Sequence, residues 1–142
     1  ICYKRGQMRK FYKFDYALDT QLPERKTAKS AGYDFYLSED VVIPPNTLQM
    51  AKSNTAVKMQ EDDVLLLFAR SSLCKRGLML MNGVGVVDAD YDGEIMFPLL
   101  NLSHETVLLS KGERVAQGVF TNYTTCGDVV KTLRTGGFGS TK

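Results

Sequence analysis

Up to about Leu102 the apolar positions come in short, broken runs, and no long stretch repeats every 3.6 residues. Strands are therefore the expected element. Residues 11–16 alternate around Lys13 and Asp15, and residues 41–43 stop at Pro44, Pro45 and Asn46, three turn formers in succession. Further strands are predicted over residues 48–59, 64–69, 78–81, 95–102, 107–110 and 115–121. The continuous apolar run at 64–68 predicts a strand buried on both faces. Many short strands parted by Pro, Gly and Asp turns point to an all-β sandwich or barrel.

One short helix is expected. Ser71 or Ser72 can serve as its N-cap, residues 73–76 supply a turn with basic side chains at the end, and Gly77 suits the left-handed residue that closes it. From Thr132 onward the character changes, because Gly136, Gly137 and Gly139 surround a single Phe138. That segment is too rich in glycine to fold alone. The expected organisation is a β-barrel domain over residues 8–131 and a flexible C-terminal lid over 132–142. Residues 1–7, which open on Ile1 and precede Met8, read as an expression remnant or an upstream extension.

A chain of 142 residues is one domain's worth, able to bury roughly two thirds of the surface exposed when unfolded. Lys and Arg number 18 against 16 Asp and Glu, a balance that does not suggest a nucleic-acid protein. Any anion must be met locally. No apolar run approaches the ~20 residues of a membrane span, and no secretory segment opens the chain, so a soluble, cytoplasmic protein is expected. Cys2, Cys74 and Cys126 form no CxxC pair and read as reduced thiols; with His104 the single histidine, a zinc shell is not expected.

Three clusters carry candidate chemistry. Arg70, Ser71 and Ser72 put a forked cation beside a helix start, where free N–H groups favour an anion; an ordinary N-cap beside a surface arginine is the other reading. From Asn82 to Glu94, Asp88, Asp90 and Asp92 alternate along a predicted strand and turn, with Asp92 and Gly93 as a hairpin signal. Alternation lets Asp88 and Asp90 share a face, against the alternative of solvated turn residues. The twelfth position counted from Asp88 is not a glutamate, which excludes an EF-hand. Residues 134–141 combine Arg134, glycines that let backbone N–H groups approach phosphate, and Phe138 as a face for a base. A disordered terminus is the alternative there.

In order and spacing these pieces resemble the five motifs of the trimeric dUTPase family. Residues 31–35 (AGYDF), 69–73 (ARSSL), 85–95 (GVVDADYDGEI), 114–117 (RVAQ) and 136–141 (GGFGST) look like motifs one to five. The resemblance covers residues 10–141, and the alanine and second serine of motif two are similar to a Gram-positive bacterial and phage branch. It implies a distorted jelly-roll barrel with one short helix and a glycine-rich tail. It also implies hydrolysis of dUTP to dUMP and pyrophosphate, which limits uracil incorporation into DNA and supplies dUMP for dTMP synthesis.

By this resemblance Asp88 positions the water that attacks the α-phosphorus in line. Arg70, Ser71 and Ser72 hold phosphate oxygens, with Gln117 on the phosphate side and Arg134 reaching the terminal phosphates. Magnesium is expected as cofactor across the three phosphates, with Asp34 holding an outer-shell water or, alternatively, closing an Asx turn. The backbone of residues 82–87, including Gly85 and Val87, is expected to read uracil with help from the Asn82 amide. Tyr91 packs under the deoxyribose or is a plain core tyrosine, while Phe138, Gly139 and Ser140 of another subunit close over the base. The implied partners are dUTP and two further copies in a homotrimer, with neither nucleic acid nor membrane; a phage-derived member adds a protein regulator. Two alternatives remain: a dCTP deaminase-like enzyme, disfavoured because Pro98 stands in the stretch where that family carries its glutamate, and a nucleotide-dependent regulatory binder. The tail is expected to be loose from about Arg134 in the absence of nucleotide.

Overall fold

The computed structural model describes residues 9–136. Within them the chain forms strands β1 (Lys10–Lys13), β2 (Tyr33–Tyr36), β3 (Val41–Ile43), β4 (Leu48–Lys52), β5 (Thr55–Lys58) and β6 (Asp63–Ala69). These are followed by helix α1 (Ser71–Lys75), β7 (Leu78–Leu80), β8 (Gly85–Val87), β9 (Met96–Asn101), β10 (Val107–Leu109) and β11 (Arg114–Asn122). Among the described residues all paired strands are antiparallel. They form a four-stranded sheet β2-β11-β6-β8, a three-stranded sheet β4-β9-β7 and the two pairs β1-β5 and β10-β3. The all-β expectation with one short helix holds.

The larger sheets meet through their inward side chains. Phe35 on β2 and Phe97 on β9 touch edge to face with centroids 5.3 Å apart, and Leu65, Leu67, Ile43, Leu99 and Val115 fill the space around them. Phe11 on β1 extends this cluster to Tyr33, Phe35 and Phe120, at 5.3, 5.6 and 5.5 Å. Burying such aromatic faces supplies the apolar driving force that short strands cannot get from local preference.

Several expectations need correction. The run over residues 48–59 is two strands in different sheets, because Asn54 adopts φ 51° and turns the chain between β4 and β5. Asn54 is buried, with its side chain spent on the Asp15 backbone and the Thr20 hydroxyl, so the break lacks the usual Gly or Pro. The first strand ends at Lys13, where that contact and an Asx turn at Asp15 redirect the chain. β2 lies in a stretch read for its chemistry rather than as a strand. On β6 only the face bearing Leu65 and Leu67 is fully buried; Leu66 and Phe68 are half-buried, so burial on both faces is not met within one chain. No hairpin forms at Asp92 and Gly93, since β8 pairs with β6 and β9 with β4 and β7. The N-cap is Arg70 in extended conformation with no side-chain cap bond, not Ser71 or Ser72, both of which lie inside the helix. Gly77, at φ 76°, does close it as expected.

Candidate functional site

Two groups of polar side chains stand out, and strand β6 runs between them. The first gathers where β2 and β11 meet the end of β6. In register Asp34 opposes Gln117, and Gln117 opposes Phe68, so three neighbouring strands bring the three to one level. Arg70, just past β6, places Nε 3.3 Å from Oδ1 of Asp34, and Arg114 places Nη1 3.2 Å from its Oδ2. Nη1 of Arg70 also donates to the Arg114 carbonyl at 3.4 Å. A bulge between Arg114 and Ala116 is what lets Arg114 and Gln117 both lie near Asp34. Gln117 in turn lies across the backbone of Gly32, where an added Cβ would stand 2.4 Å from its Oε1.

The charges of this first group suit an anion and include a built-in counter-ion. Two guanidinium groups face one largely buried carboxylate, leaving an excess of one positive charge, while Ser71 and Ser72 are exposed at the helix start. Among the described residues no group of three or more His, Cys, Asp and Glu can hold a metal. Asp34 has lone pairs beyond the two taken by arginines and can accept a hydrogen bond from a metal-bound water. It also orients Arg70, which the sequence pattern did not reveal.

The second group sits in the loop between β8 and β9. A turn brings the Tyr91 N–H to the Asp88 carbonyl at 3.1 Å, and the Tyr91 hydroxyl donates to the Glu94 carbonyl at 2.7 Å. Gly93 is required there, since a Cβ would come within 2.5 Å of that hydroxyl. Burial, aided by nearby Glu94, raises the Tyr91 phenol above its ordinary range, so it stays a neutral donor. The Glu94 carboxylate is used elsewhere, accepting the Asn54 backbone N–H at 2.9 Å. Strand β8 ends at Val87, so strand alternation does not set the two carboxylates: Asp88 and Asp90 are exposed in the turn that follows, where Arg134 bridges them, with Nη2 on Asp88 and Nε on Asp90 at 2.8 Å. Phe14, Tyr91, Met96 and Arg134 line an open cleft of about 670 Å³ beside them. Arg134, near the start of the glycine-rich tail, therefore lies on its own chain's carboxylates.

Along β8, Gly85 and Val87 are buried and Asn82 is exposed in the preceding turn. A Cβ at Gly85 would be 3.0 Å from Leu67, so glycine lets β8 lie close on β6. Among the described residues β8 pairs on one side only and is the last strand of its sheet. Phe138, Gly139 and Ser140 lie outside the described residues.

Register sets the separation of the two groups. Val87 opposes Leu65, which puts Asp88 level with Val64, whereas Arg70 follows the opposite end of β6. Six residues at about 3.4 Å each place the two backbone positions about 20 Å apart along the strand. That exceeds the length of a triphosphate chain.

Comparison with known proteins is consistent across sequence and structure. The dUTPase family model matches residues 19–141. The deoxyuridine 5'-triphosphate nucleotidohydrolase of Lactococcus lactis is 41% identical over 130 residues, covering 84% of this chain and 87% of that protein. Among solved structures, the dUTPase of Streptococcus mutans superposes with a TM-score of 0.78 at 36% identity, covering 83% of this chain and 98% of that one. The phage φ11 dUTPase of S. aureus, whose structure is described as revealing a structural Mg(II) ion, has a TM-score of 0.75 at 23% identity, a likeness of fold alone. It covers 89% of this chain and 97% of that one.

Proposed function

The chain belongs to the dUTPase family and hydrolyses dUTP, and we propose that it does so in a site shared between subunits, with Asp88 setting the attacking water. The observation that carries the shared site is the ~20 Å between Arg70 and Asp88 along β6. The triphosphate chain of one nucleotide is shorter than that backbone span. A homotrimer, in which Arg70 of one subunit approaches Asp88 of the next, brings them to one phosphate chain.

Arg70 and the exposed Ser71 and Ser72 hold phosphate oxygens, and the Asp34 carboxylate keeps the Arg70 fork aimed. Gln117, fixed over Gly32, presents its amide on the same side. Mg2+, bound by phosphate and water with Asp34 in its outer shell, would spread the charge of the leaving pyrophosphate. Asp88 accepts a hydrogen bond from the water in line with the α-phosphorus. Most of the rate comes from positioning of that water and from charge stabilisation.

Base choice rests on the open edge of β8, where backbone N–H and C=O groups face outward with the Asn82 amide beside them. Cytosine would present the inverse pattern and leave buried groups unpaired. Tyr91 has its ring fixed by the Glu94 carbonyl and Gly93 and takes the face of the deoxyribose, leaving no room for a 2′-hydroxyl. Phe138, Gly139 and Ser140 complete the cover over the base as a closing lid.

Pyrophosphate release measured with dUTP, UTP, dTTP and dCTP tests this reading, with Asp88→Asn in parallel. Strong preference for dUTP and a loss of ~100-fold or more in the variant are expected. Near-normal turnover by Asp88→Asn moves the water-setting role elsewhere, and ammonia release from dCTP favours the deaminase alternative.

A further inference from the structure

Asp90 has no part in the mechanism above, yet it shares a cation with Asp88. Arg134 gives Nε to Oδ1 of Asp90 at 2.8 Å, Nη2 to Oδ2 of Asp88, and Nη1 to the carbonyl of Gly136 at 2.8 Å. Its guanidinium carbon lies 5.8 Å from the centre of the Tyr91 ring. The Arg134 side chain keeps 16% of its exposure, against 56% for Asp88 and 62% for Asp90. The best-covered member of the cluster is thus the one at the root of a glycine-rich tail. A single exposed ion pair would hold it weakly. A planar fork gripped by two carboxylates and seated on an aromatic face loses far more freedom.

We propose that Asp90 is a positioning residue: in the empty site it parks Arg134 across the Asp88 carboxylate, strapping the tail root to its own chain. A polyphosphate must draw the guanidinium away before Asp88 can take the hydrogen bond of a water. The more highly charged phosphates win that exchange and uncover Asp88. Asp90 sets the cost, because only the unstrapped fraction of sites is competent to bind and the apparent affinity falls in proportion. The catalytic consequence rests on the role given to Asp88 above; the strap itself does not.

Limited trypsin digestion of the whole protein tests the strap without reference to activity. Cleavage after Arg134 requires its side chain to leave the carboxylates, whereas cleavage after the exposed Lys131 does not and serves as internal reference. In the wild type the Arg134 bond should be cut about five-fold more slowly than the Lys131 bond; Asp90→Asn removes the difference and Asp90→Glu keeps most of it. An unchanged ratio in Asp90→Asn overturns the proposal. Steady-state kinetics then test the role. KM for dUTP should fall about three-fold in Asp90→Asn with kcat unchanged, and the fall should vanish in an Arg134→Gln background. A fall that survives there is plain charge repulsion and overturns the positioning role, as does no change in KM. Retained turnover by Asp88→Asn defeats the catalytic reading and leaves the cleavage result standing.

Discussion

Gly32 and Gly118 lack a side chain for different physical reasons, and the difference separates activity from stability. A Cβ at Gly32 would stand 2.4 Å from Oε1 of Gln117, the free end of a side chain that can swing away. A Cβ at Gly118 would stand 2.9 Å from the Phe35 ring and 3.0 Å from Leu65, both locked in the core. Gly32→Ala should therefore fold normally while pushing Gln117 off the phosphate side, with kcat/KM for dUTP lowered on the order of 100-fold. Gly118→Ala should lose about 1–3 kcal/mol in denaturant unfolding while the remaining folded enzyme keeps its kinetics. Paired kinetics and unfolding curves check both, and normal activity in Gly32→Ala would remove Gln117 from the site. At this scale the sequence was informative about which residues matter and silent about what they touch. Arg70 and Asp34 were singled out by the resemblance, but their mutual ion pair comes from β11 setting β2 beside the end of β6, and the bulge that adds Arg114 leaves no mark on the pattern.

Among the elements, the turn between β4 and β5 shows where pattern reading stops. Strand signals bounded by Pro44, Pro45 and Asn46, or made of an apolar run such as β6, were legible because turn formers and burial leave a one-dimensional trace. Residues 53 and 54 carry neither Gly nor Pro, so two strands read as one. The break depends on a tertiary partner: Asn54 Oδ1 accepts the Asp15 N–H at 2.7 Å, and its Nδ2 donates to the Asp15 carbonyl at 3.0 Å and the Thr20 hydroxyl at 2.8 Å. The same residue gives its backbone N–H to Glu94, tying the segment that bears Phe14 to the loop that bears Tyr91. Asn54→Ala would orphan buried backbone groups and is expected to cost about 2–3 kcal/mol in denaturant unfolding. Hydrogen exchange should rise over residues 14–20 before it rises in β6. Uniform exchange across both would show that Asn54 holds no separate segment.

For the whole molecule, a site divided between chains makes a prediction that no single subunit can satisfy. Arg70 and Asp88 lie about 20 Å apart along β6, so variants at either position disable different halves of each site. The half-buried Leu66 and Phe68 and the exposed Val84 and Val86 leave this sheet apolar on its outer face, as a surface covered by another chain would be. Arg70→Ala and Asp88→Asn should each be nearly inactive alone. When the two are unfolded together in equal amounts and refolded, random assembly gives one site in about four an intact arginine from one subunit and an intact aspartate from its neighbour. Pyrophosphate release from dUTP should then recover to ~25% of the wild-type rate per chain. Sites built within single chains would recover nothing, because every chain in the mixture carries one lesion. Recovery to that level would join the anion site and the aspartate loop across a subunit boundary, where register alone keeps them apart.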